Sequence, residues 1–250
     1  MNNILKYWIL PAIFLMLFSP VLANNKLDSD KDGVPDEDEI SIYHTNPNNP
    51  DTDNDGYKDW YEINSGFSPL NHEPLKSDKI DSDDDGLADY KEFQFHTDGL
   101  NPDTDGDGYK DGDEIANGFD PLQKGNFKLS KRIEINLKEQ ELSYYLGGVR
   151  MGTFKVSTGK AAMPTPKGNF KIDEKELKAW SKPYGLWMPY WLSLNKGTFG
   201  IHELPEWPSG IKEGAAHLGK PVSHGCIRLG VGPAKLIYDW ADIGTQVKIF

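Results

Sequence analysis

Arg132-Ile133-Glu134-Ile135-Asn136-Leu137 alternates polar and aliphatic side chains, the two-residue period of a strand with one face in a core and the other in water. A polar Lys138-Glu139-Gln140 follows, then a second alternating run at 142–146, and Gly147-Gly148 turns the chain into a third at 149–157. The pattern predicts a meander of short strands. Further strands are expected at 169–173, 188–193, 198–202 and 246–250, and Pro233, suited to a first helical turn, opens a helix that runs to Trp240. This half of the chain reads as mainly β, a sandwich or small barrel with one or two helices.

Working outward, the composition changes sharply near Gly125. Residues 24–125 hold 28 acidic and 8 basic side chains, whereas 126–250 hold 11 and 18. Such a change marks a domain boundary, giving one domain at 24–125 and a second at 126–250. The second is long enough for a hydrophobic core, while the first is poor in apolar residues and needs another source of cohesion. The two halves are therefore expected to hold together independently.

The acidic half carries a repeat. Four twelve-residue loops place Asp at positions one, three, five and nine, Gly at six and Glu at twelve. In the first these are Asp28, Asp30, Asp32, Gly33, Asp36 and Glu39; in the second, Asp51, Asp53, Asp55, Gly56, Asp59 and Glu62. The third has Asp81, Asp83, Asp85, Gly86, Asp89 and Glu92, and the fourth Asp103, Asp105, Asp107, Gly108, Asp111 and Glu114. Calcium takes six to eight oxygens, and this spacing curls short carboxylates around one point while glycine permits the sharp turn and Glu closes the shell. The Asp and Glu positions are read as ligands, with the ion as a structural part of the fold. Asn49-Pro50 and Asn101-Pro102 disfavour an incoming helix, so each unit is expected as a loop with a short outgoing helix. His44-Thr45 recurs as His96-Thr97, and Gly66-Phe67-Ser68-Pro69-Leu70 as Gly118-Phe119-Asp120-Pro121-Leu122, which points to duplication of a two-loop unit. The segments resemble bacterial thrombospondin type 3 repeats, a resemblance that implies calcium binding and an irregular, calcium-organised region of loops and short helices. His44, His72 and His96 are read as packing or surface residues, since calcium prefers oxygen.

At the amino terminus Lys6 precedes sixteen uncharged residues, 7–22, and Val21-Leu22-Ala23 leads into Asn24-Asn25. This is the layout of a signal peptide over 1–23, cleaved after Ala23, and it implies secretion to the periplasm or cell wall. Nucleic acid is excluded as a partner on that ground, and the positive second half suits an anionic wall polymer.

Cys226 is the only cysteine, so it cannot form an internal disulfide and is either a small apolar residue or a thiol kept for its chemistry. It lies in Ser223-His224-Gly225-Cys226-Ile227-Arg228-Leu229. With Ser157-Thr158-Gly159, Pro164-Thr165-Pro166-Lys167-Gly168-Asn169-Phe170 and Phe199-Gly200-Ile201-His202, this stretch resembles the L,D-transpeptidase catalytic domain of the YkuD type, over about 131–250. The resemblance implies a YkuD-like β-sandwich and an enzyme that cuts a peptidoglycan stem peptide after its third residue and passes the acyl group to an amine.

In that reading His202 takes the thiol proton, Cys226 forms a thioester, and the amides of Gly225 and Cys226, with His224, face the oxyanion. By resemblance His224 lines the site and the backbone carbonyl of Glu203 orients the base. Arg228 is suited to a substrate carboxylate or, equally, to a partly buried ion pair, and Ser223 is grouped with the substrate-binding residues. Residues 203–222 are longer than the family commonly places between its histidine and its cysteine motif, which implies an insertion in the loop over the site. His217 is assigned to that loop, and Trp180, Trp187, Trp191 and Trp207 are read as core. Two alternatives stay open. The same cysteine could hydrolyse stems as a carboxypeptidase or endopeptidase, or the chain could be a non-catalytic calcium-binding wall or adhesion module.

Overall fold

A computed structural model of the chain describes residues 26–73 and 75–250; the expected signal segment, 1–23, lies outside them. Each acidic loop ends in a short helix: α1 (Asp36–Asp38, continued by a wider turn at Glu39–Tyr43), α2 (Asp59–Ser65), α3 (Asp89–Phe95) and α4 (Asp111–Asn117). The recurrent dipeptides mark where these helices stop. Gly66 and Gly118 take the left-handed conformation that glycine adopts freely, at φ 79° and 80°. His44 and His96 take it at the ends of the other two units, at φ 56° and 62°. The same pairing follows α2 and α4, an isolated bridge between Phe67 and Lys76 in one and between Phe119 and Lys128 in the other. The duplication expected from the sequence is thus a duplication of structure. The fourth repeat continues past Gly125 to Leu129, whose N–H donates to the Gly118 carbonyl at 2.9 Å.

The second half contains β1 (Lys131–Asn136), β2 (Glu141–Leu146), β3 (Val149–Ser157), β4 (Gly168–Ser181), β5 (Leu186–Leu194), β6 (Phe199–Glu203), β7 (Ile227–Leu229), α5 (Pro233–Trp240) and β8 (Gln246–Ile249). They close into a barrel in the order β1-β2-β3-β7-β6-β5-β4-β8, with β8 returning parallel to β1. Of the two architectures the sequence permits, the closed one forms because two long strands turn corners. β4 pairs with β8 as far as Lys171 and with β5 from Ile172 onward, and a register shift between Ile172 and Glu174 marks the bend. Inside lie Ile133, Ile135, Leu142, Leu192, Leu194, Ile201, Ile227 and Leu229, with Ile237 of α5 closing the cluster. Each such side chain contributes roughly 1.5–3 kcal/mol by leaving water. Lys131 and Lys175 satisfy the carboxyl end of α5 by donating to the carbonyls of Trp240 (2.8 Å) and Tyr238 (2.6 Å).

The expectation of two independently cohering halves is corrected. Leu87, Phe95 and Ile115 of the repeats pack in one buried cluster with Leu146 of β2, with Val149, Met151 and Trp240 against its edge. Lys91 of α3 donates to the Arg150 carbonyl at 2.6 Å. The apolar residues of the third and fourth repeats are too few for a core of their own, and the barrel supplies the rest.

Candidate active site and acidic loops

β6 and β7 run parallel, with Ile201 opposite Ile227 and His202 opposite Arg228. That register brings the histidine and the turn ahead of β7 to one end of the barrel. There His202, His224, Cys226 and Arg228 line a single groove of about 720 Å³. His202 is 2 % exposed, and its Nδ1 lies 2.5 Å from the Glu203 carbonyl. A carbonyl only accepts, so Nδ1 carries the proton and Nε2 is left as a bare acceptor. Burial first, and the Arg228 charge second, push His202 down to about 3, so the imidazole is neutral at ordinary pH. Burial pushes the Cys226 thiol up, opposed by a backbone hydrogen bond from Gly200 and by Arg228. His224 is exposed, stacks on Tyr184 with ring centres 4.6 Å apart, and accepts from Lys160 Nζ at 3.2 Å. Partial burial and the neighbouring cations Lys160 and Arg228 lower its pKa.

Several sequence assignments are corrected. Ser223 is fully buried and outside the groove. Its Oγ donates to the Cys226 carbonyl at 2.6 Å and accepts from the Gly225 N–H at 3.2 Å, so it pins the nucleophile turn instead of touching a ligand. By the same bond the Gly225 amide, expected as an oxyanion donor, is already taken. Gly225 keeps a steric role, since its φ of 110° belongs to glycine. Arg228 makes no ion pair among the described residues, and its Nε is buried without a partner, which removes the ion-pair reading. Trp180 and Trp207 are groove wall, 41 % and 40 % exposed, while Trp191 is both core and groove floor. Trp187 meets Trp180 edge-on at 4.7 Å.

Sequence reasoning missed the clamp on this turn. Thr165 Oγ1 donates to the Gly225 carbonyl and accepts from the Gly159 N–H, both at 2.8 Å. Ser223 donates through its N–H to the Thr158 carbonyl at 2.9 Å, and Gln140 holds Thr158 in turn, accepting from its N–H at 2.9 Å. Gly159 is required there, because a Cβ would lie 2.3 Å from the Met163 carbonyl. The signal was present in Ser157-Thr158-Gly159 and Thr165, but their partners lie some sixty residues away. Residues 203–214 fold as a compact hairpin. Glu206 and Trp187 exchange two backbone bonds of 2.8 and 2.9 Å, and Glu213 N–H donates to the Pro205 carbonyl at 3.0 Å. Lys178 pairs with Glu206 at 2.6 Å, and Lys212 with Glu203.

The four acidic loops share one geometry. Asp28, Asp30 and Asp32 bring carboxylate oxygens within 4.8 Å of one another, as do Asp51, Asp53 and Asp55, Asp81, Asp83 and Asp85, and Asp103, Asp105 and Asp107. One oxygen each of Asp30, Asp53, Asp83 and Asp105, and of Glu39, Glu62 and Glu114, is buried without a partner; in Glu92 both are. Burial, reinforced by neighbouring aspartates, pushes Glu92 up to about 9, Glu62 to about 8 and Glu39 and Glu114 to about 7. An all-oxygen donor set with orphaned buried oxygens fits a hard divalent cation. The ninth-position aspartates differ from the expectation. Asp36, Asp59, Asp89 and Asp111 use both oxygens to accept from the N–H and hydroxyl of Ser29, Thr52, Ser82 and Thr104 at 2.6–3.0 Å. They clip each loop shut. Fifth-position aspartates join successive loops, Asp32 accepting from Trp60 N–H at 3.2 Å and Asp85 from Gly112 N–H at 2.7 Å. His44 is also a connector, with Nε2 2.6 Å from Asp98.

A small closed barrel with a neutral histidine and a lone thiol in one groove defines a cysteine–histidine protein with a barrel scaffold. Residues 130–249 match the family described as the L,D-transpeptidase catalytic domain, YkuD. YkuD of Bacillus subtilis, assigned as an L,D-transpeptidase, is 31% identical over 126 residues, spanning 49% of this chain and 68% of that protein. The chain belongs to the YkuD-type L,D-transpeptidase family. YciB of the same organism, assigned likewise, is 36% identical over 125 residues, 47% of this chain and 64% of its own length, so the chain spans less than two thirds of that relative. A crystal structure of an L,D-transpeptidase from Stackebrandtia nassauensis superposes with a TM-score of 0.42 at 32% identity, covering 48% of this chain and 55% of that one. Residues 28–50, 51–66 and 103–124 match the bacterial thrombospondin type 3 repeat. The third loop, 81–92, lies outside those matches and repeats their geometry.

Proposed function

We propose that the chain is a peptidoglycan L,D-transpeptidase working through a cysteine thioester. The observation that carries this reading is the meeting of His202 and Cys226 in one groove, with the proton of His202 fixed on Nδ1. Nε2 takes the proton from Cys226 Sγ as sulfur attacks the carbonyl of the stem's third residue, and the amides of Cys226 and His224 face the oxyanion. The C–N bond breaks, and the imidazolium returns the proton to the departing amine. An acceptor amine then attacks the thioester, gives its proton to Nε2, and the thiol is restored. Lys160, donating to His224, holds that ring at the mouth of the groove.

The repeats are read as calcium sites. Carboxylates at positions one, three, five and twelve of each loop would hold the ion, which supplies the positive charge that the crowded, buried oxygens call for. Its role is structural. The protein is placed in the periplasm or cell wall, where its stem-peptide substrate lies, in keeping with the signal-like segment of the sequence.

Purified chain incubated with tetrapeptide stems, with products weighed by mass spectrometry, tests the reading. Cross-linked dimers are expected, and none from Cys226→Ala. Tripeptide and free terminal amino acid without dimers would replace transfer by hydrolysis. No turnover, with Cys226 unreactive to thiol reagents, would leave a binding module.

A further inference from the structure

Each two-loop unit of the repeats builds the same apolar face. In the second unit Leu87, Phe95 and Ile115 form it, and Leu146 of the barrel covers it. In the first unit Val34, Tyr43 and Ile63 stand at the equivalent positions, covered by Phe93 of α3. Beside that contact a pocket of about 310 Å³ stays open, walled by Trp60 of α2 and Tyr90 of α3. Small-molecule sites span roughly 300–1,000 Å³. One substitution between the repeats makes the pocket particular to the first unit. The residue after the ninth-position aspartate is Trp60 in the second loop and Gly112 in the fourth. Gly112 approaches the third loop so closely that a Cβ would lie 2.7 Å from the Asp85 carbonyl oxygen. Trp60 instead lays its indole against Gly33, where a Cβ would come within 3.0 Å of Cδ1, and the residue stays 48 % exposed.

Asp38, Asn64 and Gln94 complete the rim. Asp38 Oδ1 accepts from Lys26 at 2.6 Å, Asn64 Nδ2 donates to the Trp60 carbonyl at 2.8 Å, and Gln94 Oε1 accepts from Lys91 at 2.9 Å. These bonds orient the side chains. Among the described residues they leave Asp38 Oδ2 and Asn64 Oδ1 as free acceptors, and Gln94 Nε2 and Trp60 Nε1 as free donors. A cation calls for acceptors alone and an anion for donors alone, whereas a hydroxyl group uses both. A ring with hydroxyls around its edge and C–H bonds on its faces also stacks on an aromatic plane. We propose that this pocket binds a neutral pyranose sugar of a glycan chain, stacked on Trp60 with its hydroxyls meeting Asp38, Asn64 and Gln94. The repeats then tether the chain to a polysaccharide, a role separate from the chemistry of Cys226.

Titration calorimetry of the full-length chain in calcium-containing buffer tests this, with cellotriose and N-acetylated chitotriose as probes. Saturable one-site binding of at least one trisaccharide is expected. Trp60→Ala should weaken it about tenfold or more, the scale of one stacked ring. Gln94→Leu keeps the ring, removes a rim donor and should weaken it about fivefold. Far-ultraviolet circular dichroism checks that each variant is folded, and Gln94→Leu carries the test alone if Trp60→Ala is not. Silence toward both trisaccharides overturns the sugar site, and so does an affinity that the folded variants leave unchanged, which would put the sugar elsewhere on the molecule. Tetramethylammonium binding where the trisaccharides stay silent would make the pocket a cation box and overturn it equally.

Discussion

His202 and Cys226 do not form an ion pair at rest. The imidazole is pushed down to about 3, chiefly by burial, and the thiol is pushed up by the same cause, so the proton sits on sulfur and the ring is neutral. The protonated thiol is the less nucleophilic form. Alkylation of the native chain by iodoacetamide, followed against pH, reads this directly. Thiolate is the reacting form, so the rate should rise about tenfold per pH unit from neutrality to beyond the ordinary thiol range of about 8.5. A plateau already reached near about pH 7 would mean a thiolate–imidazolium pair instead. Arg228 lowers the pKa of both groups, so Arg228→Gln should move the alkylation curve further up.

The turn at 223–226 is the element on which the site depends, because Ser223 ties its two ends together. Ser223→Ala leaves a buried carbonyl and a buried amide unpaired, and is expected to cost about 1–3 kcal/mol in thermal unfolding. It should lower kcat with KM little changed, since Ser223 does not reach the groove; a raised KM at unaltered stability would return it to the substrate-binding residues. Alternation made β1, β2 and β3 legible within a residue, and Pro233 gave α5 its start. The outer part of β4 was not legible. Glu176, Leu177 and Lys178 are exposed in succession because only β5 flanks that stretch, so no period appears. β7 is three residues long, too short to declare itself. The histidine and cysteine were readable as motif residues, whereas the tasks of Ser223 and Thr165 depend on bonds across distant loops.

At the scale of the molecule the acidic ladder and the barrel form one structure through Leu87, Phe95, Ile115 and Leu146. Chelation should abolish the far-ultraviolet dichroism of the repeats and also lower the melting temperature of the barrel, by about 5 °C for each kcal/mol of cover lost from Leu146 and Trp240. An unchanged barrel transition would show that the shared cluster carries no stability. Leu146 has no exposed surface in the whole chain, and Trp240 is sheltered beside it. A fragment cut at residue 130 would turn that seam into an oily patch facing solvent, apt to make copies stick together. Any shortened version meant for assay or crystallisation has to carry the third and fourth repeats along, or replace Leu146, Val149 and Met151 with polar side chains.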